Sequence, residues 1–336
     1  MPVVGSILGR RIVASATPPG PDVGQKFDVP QLSAADLESA YLPPIGFYAE
    51  ATVAAGQTAS LRSAALSNNT RRPVEIREVR LGAYSPPGAA ENASVDLGGV
   101  LKVALSVDGH LVTSGLVPAW LLGKTEDWRA QGARITVISP AVLWAQYVWR
   151  LTKPWYMPPG AQVSAQIQHS GEIVDTIVGQ IGLFGAVASP RRTSFIPYAA
   201  AWASQAYQAA DTAVEESNEN DLSNATSNPV DVDRLIARVG TRETVPAGTT
   251  LFFADRPTDG GFTIKAATSH GEVITPGYVG VRAGFGSSRA LEMSHQIAPG
   301  DYFKVTARKV AVTAYGTSSL LTRVFAGIVG SREVTL

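Results

Sequence analysis

Leu66-Ser67-Asn68-Asn69-Thr70-Arg71-Arg72-Pro73-Val74-Glu75-Ile76 recurs without a gap as Leu222-Ser223-Asn224-Ala225-Thr226-Ser227-Asn228-Pro229-Val230-Asp231-Val232. Six of the eleven positions are identical, and Glu75/Asp231 and Ile76/Val232 keep charge or shape. Each copy reads as a strand end, a polar turn closed by Pro, then a strand with its acid facing out. A second echo follows in each half. Pro158-Pro159-Gly160 leads into a strand and then Gly179–Val187, and Pro299-Gly300 leads into a strand and then Phe325–Val329. The interval from Gly160 to Gly185 nearly matches that from Gly300 to Gly327. Ordered echoes at similar spacing point to an internal duplication.

The segments around the repeat are short and β-patterned. Val74–Leu81 alternates Val74, Ile76, Val79 and Leu81 with charged residues and slips phase once, as at a bulge. Val100–Val107 alternates strictly after its first residue, and Asp108-Gly109 then signals a two-residue hairpin into His110–Thr113. Further strands are expected at Ser60–Leu66, Ile135–Ile138, Val142–Leu151, Gln162–Gln168 and Ile177–Val187. In the second half they are expected at Val230–Val239, Thr249–Ala254, Phe262–Ala267, Gly277–Ala283, Leu291–Ile297, Tyr302–Ala314 and Leu320–Val329. Turn signals every 8–12 residues are those of an antiparallel sandwich.

Between the halves, Ala199–Glu216 has a helix-forming composition with no Gly or Pro and is expected to be helical. Residues 1–30 are rich in Pro, Gly and small side chains, and Pro18-Pro19-Gly20-Pro21 suits neither a helix nor a central strand. They form an expected extended arm, followed by a short helix opened at Ser33. The chain divides into arm and short helix (1–44), first sandwich (45–195), helical connector (196–220) and second sandwich (221–336).

Composition narrows the function. Of 336 residues none is Cys, which removes disulfides, thiolate zinc sites, iron–sulfur clusters and cysteine nucleophiles. Lys plus Arg and Asp plus Glu are 28 each, so no overall basic footprint for nucleic acid exists. Only 17% of residues are charged, while Gly and Pro number 32 and 22. Few charges and many turns suit a large protein that hides surface against other chains. No apolar run is long enough for a transmembrane helix, and Val3–Leu8 precedes Arg10-Arg11, the reverse of an export signal. The Asn68, Asn92 and Asn224 sequons read as polar turns.

No catalytic, cofactor-binding or metal-binding set emerges. His110, His169, His270 and His295 lack ligand spacing and read as turn or half-exposed residues. There is no nucleophile elbow and no phosphate loop, and Gly284–Ser288 reads as a strand-connecting loop. Asp211, Glu215, Glu216, Glu219 and Asp221 cluster without a base, but not at EF-hand spacing, and read as a solvated helix end. Trp144, Trp149 and Trp155 share one strand, with Trp144 and Trp149 on opposite faces, and read as core or subunit contact. Arg10-Arg11, Arg71-Arg72 and Arg191-Arg192 read as solvated turns.

The duplication of Leu66–Ile76 in Leu222–Val232, the Pro-Gly landmarks, the arm and the length resemble the double jelly-roll major capsid proteins of tailless icosahedral bacteriophages with an internal membrane. The resemblance spans about residues 45–336 and carries no diagnostic motif. It implies an all-β chain of two tandem eight-stranded jelly rolls, non-enzymatic and free of cofactors. It also implies a homotrimer with a pseudo-hexagonal footprint, which contacts neighbouring capsid trimers and penton or minor capsid proteins in the virion shell after assembly in the host cytoplasm. Residues 1–40 would run beneath the shell toward the internal viral membrane, and Ser85–Asp96 and Arg256–Gly261 would form the outer tower. No specific nucleic acid is implied. The rival from the residues alone is a carbohydrate- or receptor-binding sandwich of a phage tail or spike, which needs a solvent-facing aromatic ladder. A sandwich hydrolase would need two close carboxylates in a cleft.

Overall fold

The computed structural model describes residues 4–7, 10–13, 44–84, 97–125, 144–172, 176–208, 214–218, 221–244, 250–254, 262–285, 290–309 and 319–335. β1 (Val4–Ile7) and β2 (Arg10–Val13) pair with each other as a hairpin, Val4 opposite Val13. The first sandwich comprises β3 (Pro44–Val53), β4 (Thr58–Ser60), β5 (Val74–Tyr84), β6 (Leu101–Val107), β7 (His110–Leu111), β8 (Thr113–Ser114), β9 (Val117–Pro118), β10 (Lys124–Thr125), β11 (Trp144–Met157), β12 (Val163–His169) and β13 (Ile177–Val187). The second comprises β14 (Thr193–Ala203), β15 (Tyr207–Gln208), β16 (Glu215–Ser217), β17 (Val230–Thr244), β18 (Thr250–Ala254), β19 (Phe262–Thr268), β20 (Val279–Gly280), β21 (Ala290–Ile297), β22 (Phe303–Lys309) and β23 (Ser319–Thr335).

The back sheet of the first half has the order β10-β11-β5-β13-β3, and its front sheet β4-β12-β6-β7. In the second half the back sheet runs β18-β17-β23-β14-β8, with β21 also on β17, and the front sheet β16-β22-β19-β20. Leaving out the short extra strands, both back sheets join the first, eighth, third and sixth strands of their half. Both front sheets join the second, seventh, fourth and fifth. This is the jelly-roll order, and the chain builds it twice.

Alternation explains the layers. β6 and β12 bury every second residue, with Val103, Leu105, Val163 and Ile167 pointing inward. The same rule buries Ile264, Ala266, Phe303 and Val305 in the second half. Asp108 and Gly109 both have positive φ, 46° and 80°, the geometry of the hairpin turn that the Asp-Gly pair predicts. His110 pairs back onto Val107.

The predicted bulge in β5 is present, and it is duplicated. β13 pairs Phe184 with Glu78 but Gly185 with Ile76, so Arg77 is the extra residue. β23 pairs Val329 with Arg234 but Gly330 with Val232, so Asp233 is extra. A Cβ on Gly185 would lie 1.8 Å from the Glu75 carbonyl oxygen, and one on Gly330 2.0 Å from that of Asp231. Only glycine lets the eighth strand pass each bulge. The structural partner of Gly185 is therefore Gly330, not Gly327 as the spacing suggested.

Several expected elements differ. Ala199–Glu216 is not a helix: β14 runs to Ala203, lies beside β23, and is followed by β15 and β16. Tyr198, Ala200 and Trp202 join the second core, while Ile196 and Ala199 pack toward the first half. A strand buried on both faces loses its polar alternation, so small residues there imitate helix composition. Ser60–Leu66 splits into β4 and a helical turn, Ser63–Leu66. Within Gly277–Ala283 only Val279–Gly280 is strand, and Val281–Phe285 is a helical turn that reaches into the expected Gly-rich loop. The expected strand Ile135–Ile138, the helix at Ser33 and the tower loops Ser85–Asp96 and Arg256–Gly261 lie outside the described residues.

Candidate functional site

Among the described residues the two halves meet where β11 lies near β14 and at a directional junction, which the sequence did not reveal. After the β6–β7 hairpin, the chain segment Val112–Leu122 stays paired to β6 of the first sandwich through Val112 and β9 and also lies against the back sheet of the second. β8 pairs in parallel with β14, Thr113 opposite Ala199 and Ser114 opposite Ala200. The Ala199 N–H donates to the Val112 carbonyl at 2.9 Å. The helical turn Ala119–Leu122 then inserts Trp120, whose ring meets Phe325 edge-on at 5.0 Å. The Arg238 guanidinium lies 5.8 Å from the Trp120 ring centre. Leu121 approaches β23 where Gly327 leaves room: a Cβ there would sit 3.3 Å from Leu121. Phe325, Val329, Ile236 and Ile196 of the second half thus belong to the same buried cluster as the first core.

Polar contacts rim the junction. The Lys153 ammonium lies 2.6 Å from the Asp231 carboxylate and 4.8 Å from the centre of the Phe195 ring. That lysine, with Gln296 donating at 2.9 Å, holds the Asp231 carboxyl below its ordinary range against a smaller burial effect. Glu172, nearly buried, pairs with Arg323 at 3.3 Å. Burial first, then the Arg323 guanidinium, push the nearby Lys102 ammonium down, and Glu172 opposes them. Ser194 donates to the Tyr156 carbonyl at 2.7 Å.

The duplicated motif proves to be the anchor of each sandwich. The Asn68 side-chain amide donates to the carbonyls of Arg72, Met157 and Pro158, at 3.0, 3.0 and 3.1 Å. Its carbonyl accepts from the Thr70 N–H and hydroxyl. Asn224 repeats this with the carbonyls of Asn228 and Ile297, at 2.8 and 3.0 Å, and with Thr226. The Gly160 N–H donates to the Asn68 backbone carbonyl and the Gly300 N–H to that of Asn224. Each Asn is buried and ties the Pro-closed turn to the Pro-Gly turn. Both polar sequons are thus structural turns.

The remaining candidates scatter. His169 is fully buried and accepts from the Gly171 N–H at 3.0 Å, which corrects the expectation of a half-exposed turn residue. His110 is exposed. His270 is exposed beside Asp301 at 3.3 Å, and Ser269 bonds the same carboxylate, so serine and histidine both address the acid rather than each other. His295 lies 3.7 Å from Glu272 and edge-on to Phe303. Glu215 pairs with Arg308, whereas Glu216 accepts from the Tyr207 hydroxyl and the Gln205 N–H. Asp221 is exposed, and Asp211 and Glu219 lie outside the described residues. Among the described residues no group of three His, Asp or Glu side chains converges as metal ligands. Trp149 and Trp155 are in the core, and the Trp144 side chain lies outside the description. Arg191 pairs with Glu75 at 2.6 Å, Arg71 and Arg72 are exposed in the Asn68 turn, and Arg10-Arg11 open β2.

No family model and no curated protein sequence matches the chain. Among solved structures it is similar to the faustovirus major capsid protein, at 8% identity and TM-score 0.36, over 90% of this chain and 94% of that one. It is similar to major capsid protein P2 of bacteriophage PM2, at 8% identity and TM-score 0.32, over 86% and 98%. It is also similar to an N-glycanase F (PNGase F), at 9% identity and TM-score 0.33, over 87% and 99%.

Proposed function

We propose that this chain is the major capsid subunit of an icosahedral virion, assembling as a homotrimer whose six jelly rolls give a pseudo-hexagonal outline. The observation that carries the reading is the tandem jelly roll with a head-to-tail junction. The first sandwich extends a segment onto the second, so the contact is directional, and a directional contact builds rings or shells when repeated. The balanced 28 and 28 charges let many copies crowd without mutual repulsion. In this reading the partners are neighbouring trimers and penton or minor capsid proteins. Residues 1–44 form an arm toward an internal membrane, and the mature location is the shell of a bacteriophage virion. The reading includes no specific nucleic acid among the partners.

The carbohydrate-binding reading requires an exposed aromatic ladder. Among the described residues the exposed large apolar side chains are Tyr48, Leu111 and Val273, which lie on separate strands and loops. The hydrolase reading requires paired carboxylates in a cleft, and Asp231, Glu172, Glu215, Glu216 and Asp301 are engaged with bases or hydroxyls at separate places. The test is mass measurement with low-resolution imaging of the purified chain. Three-chain particles with a hexagonal outline support the proposal, and a strict monomer that binds glycans overturns it.

A further inference from the structure

The junction has a second copy of its donor segment, and among the described residues that copy meets no receptor within the chain. Val112-Thr113-Ser114-Gly115-Leu116-Val117 of the first half matches Ile274-Thr275-Pro276-Gly277-Tyr278-Val279 of the second. The match extends to the bonds. Leu105 N–H donates to the Thr113 hydroxyl at 2.9 Å, and that hydroxyl donates to the Gly115 carbonyl at 2.8 Å. Ala266 N–H donates to the Thr275 hydroxyl at 2.9 Å, and that hydroxyl donates to the Gly277 carbonyl at 2.9 Å. Both segments end in a helical turn, Ala119–Leu122 and Val281–Phe285. Burial separates them. Val112, Val117 and Pro118 are buried, whereas Ile274, Val279 and Gly280 are half-buried.

The receptor is duplicated too. Gly185 and Gly330 mark the same point of the eighth strand, and Gly185 faces Ile45 while Gly330 faces Tyr198. One residue further on, Gly46 of β3 is the counterpart of Ala199 of β14. Among the described residues β3 is the edge of its sheet, whereas the edge of β14 is capped by β8. The uncapped sheet face beside that edge carries the exposed Tyr48 and, with Arg80 stacked 4.5 Å above its ring centre, Phe184.

We infer that Ile274–Gly277 of one chain docks on the open β3 edge of a second copy, the Gly46 N–H donating to the Ile274 carbonyl as Ala199 donates to Val112. The occupant is a second copy because the donor and the receptor have an established pairing within this chain, and among the described residues a second donor in the second half and a second receptor in the first are each left over. This inference rests on the capsid reading and names the contact that would close its ring. The two contacts differ in one respect. Parallel pairing at Ala199 also engages the N–H of Ser114, and Pro276 at that position has none. The contact between chains is thus one hydrogen bond weaker than the contact within the chain, and it is the one that opens when the assembly dissociates.

Pro276→Ser restores the missing donor, and Gly46→Pro removes the other one at an edge position where proline is tolerated. Both are read in the full-length chain by mass photometry over a dilution series, with hydrogen exchange across residues 44–50. The expected result is a three- to tenfold drop in the dissociation concentration for Pro276→Ser, about one hydrogen bond per contact. Gly46→Pro should raise it similarly, and in the assembled wild type the Gly46 amide should exchange at least tenfold more slowly than in the dilute monomer. Should Gly46→Pro perturb folding, Pro276→Ser and the exchange rates decide. Trimers with a fast-exchanging Gly46 amide and no response to Pro276→Ser overturn this contact alone. A chain that never associates overturns the capsid reading with it. Gly46 protection already present in the dilute monomer means that the chain's own residues 1–43 cover the edge, and the second-copy occupant falls.

Discussion

Set side by side, the two jelly rolls agree inside and differ outside. The Asn68 and Asn224 anchors, the Arg77 and Asp233 bulges and the threonine clasps of Thr113 and Thr275 are the same devices at the same strand positions. The outward faces of the front sheets are not. In the first half that face presents Ser60, Ala104, Ser106, Ser164 and Gln166 around a shallow depression of about 520 Å³. In the second, Glu215, Lys265, Lys304 and Arg308 occupy the exposed positions. A duplicated unit keeps the buried hydrogen bonds that define its strand order, because breaking one strands a carbonyl away from water. Outward positions cost little to change, so the halves have been free to acquire different neighbours.

The largest test of this comparison falls on the junction, where the halves are unlike by role. Trp120→Ala should cost about 3–5 kcal/mol and, in calorimetry, resolve one unfolding transition into two, since the shared cluster is what couples the sandwiches. A single sharp transition at lower temperature would mean the halves are coupled elsewhere. Next come the bulge glycines. Gly185→Ala and Gly330→Ala each drive a Cβ into a backbone oxygen and should each cost about 3 kcal/mol in denaturant unfolding; an effect at only one of them breaks the equivalence. Asn68→Ala and Asn224→Ala each orphan buried carbonyls and should each cost about 2 kcal/mol.

The smallest effect sharpens the rim. The Asp231 carboxyl is held down in the folded chain, so its contribution is present above its ordinary value of 3.8 and fades as pH falls through the lower folded value. With Asp231 42% and Lys153 35% exposed, solvent screening leaves about 0.5 kcal/mol. Lys153→Ala should therefore flatten the acid limb of the stability curve only slightly.

Where local chemistry dictated the outcome, the sequence was legible. Asp108-Gly109 forces a tight hairpin, the phase slip in Val74–Leu81 forces a bulge, and a Pro-closed polar turn seen twice forces a duplication. What stayed hidden depends on the partner across the gap. β14 is buried on both sides, so Ala199–Ala203 lost the alternation that marks a strand and took on a helical composition. Gly327 and Gly330 look alike in sequence, and only the register on β17 shows which passes the bulge. His169 has no sequence mark of burial, which comes from the turn around Gly171. The junction lay furthest from what local patterning marks. Its signal, V-T-S-G-L-V against I-T-P-G-Y-V, was present in the chain, but it is short and lies in loops where pattern counting finds no period.

The twin bulges also constrain how such a protein can vary. One extra residue at Arg77 or Asp233 sets which face of β5 or β17 the side chains before it address, relative to those after it. Deleting either would turn Val74 and Ile76, or Val230 and Val232, toward solvent and their charged neighbours toward the core. Length changes should therefore be absent from these two points in any lineage of the protein and accumulate in the connections between strands, so that its history is written in loop lengths rather than in strand registers.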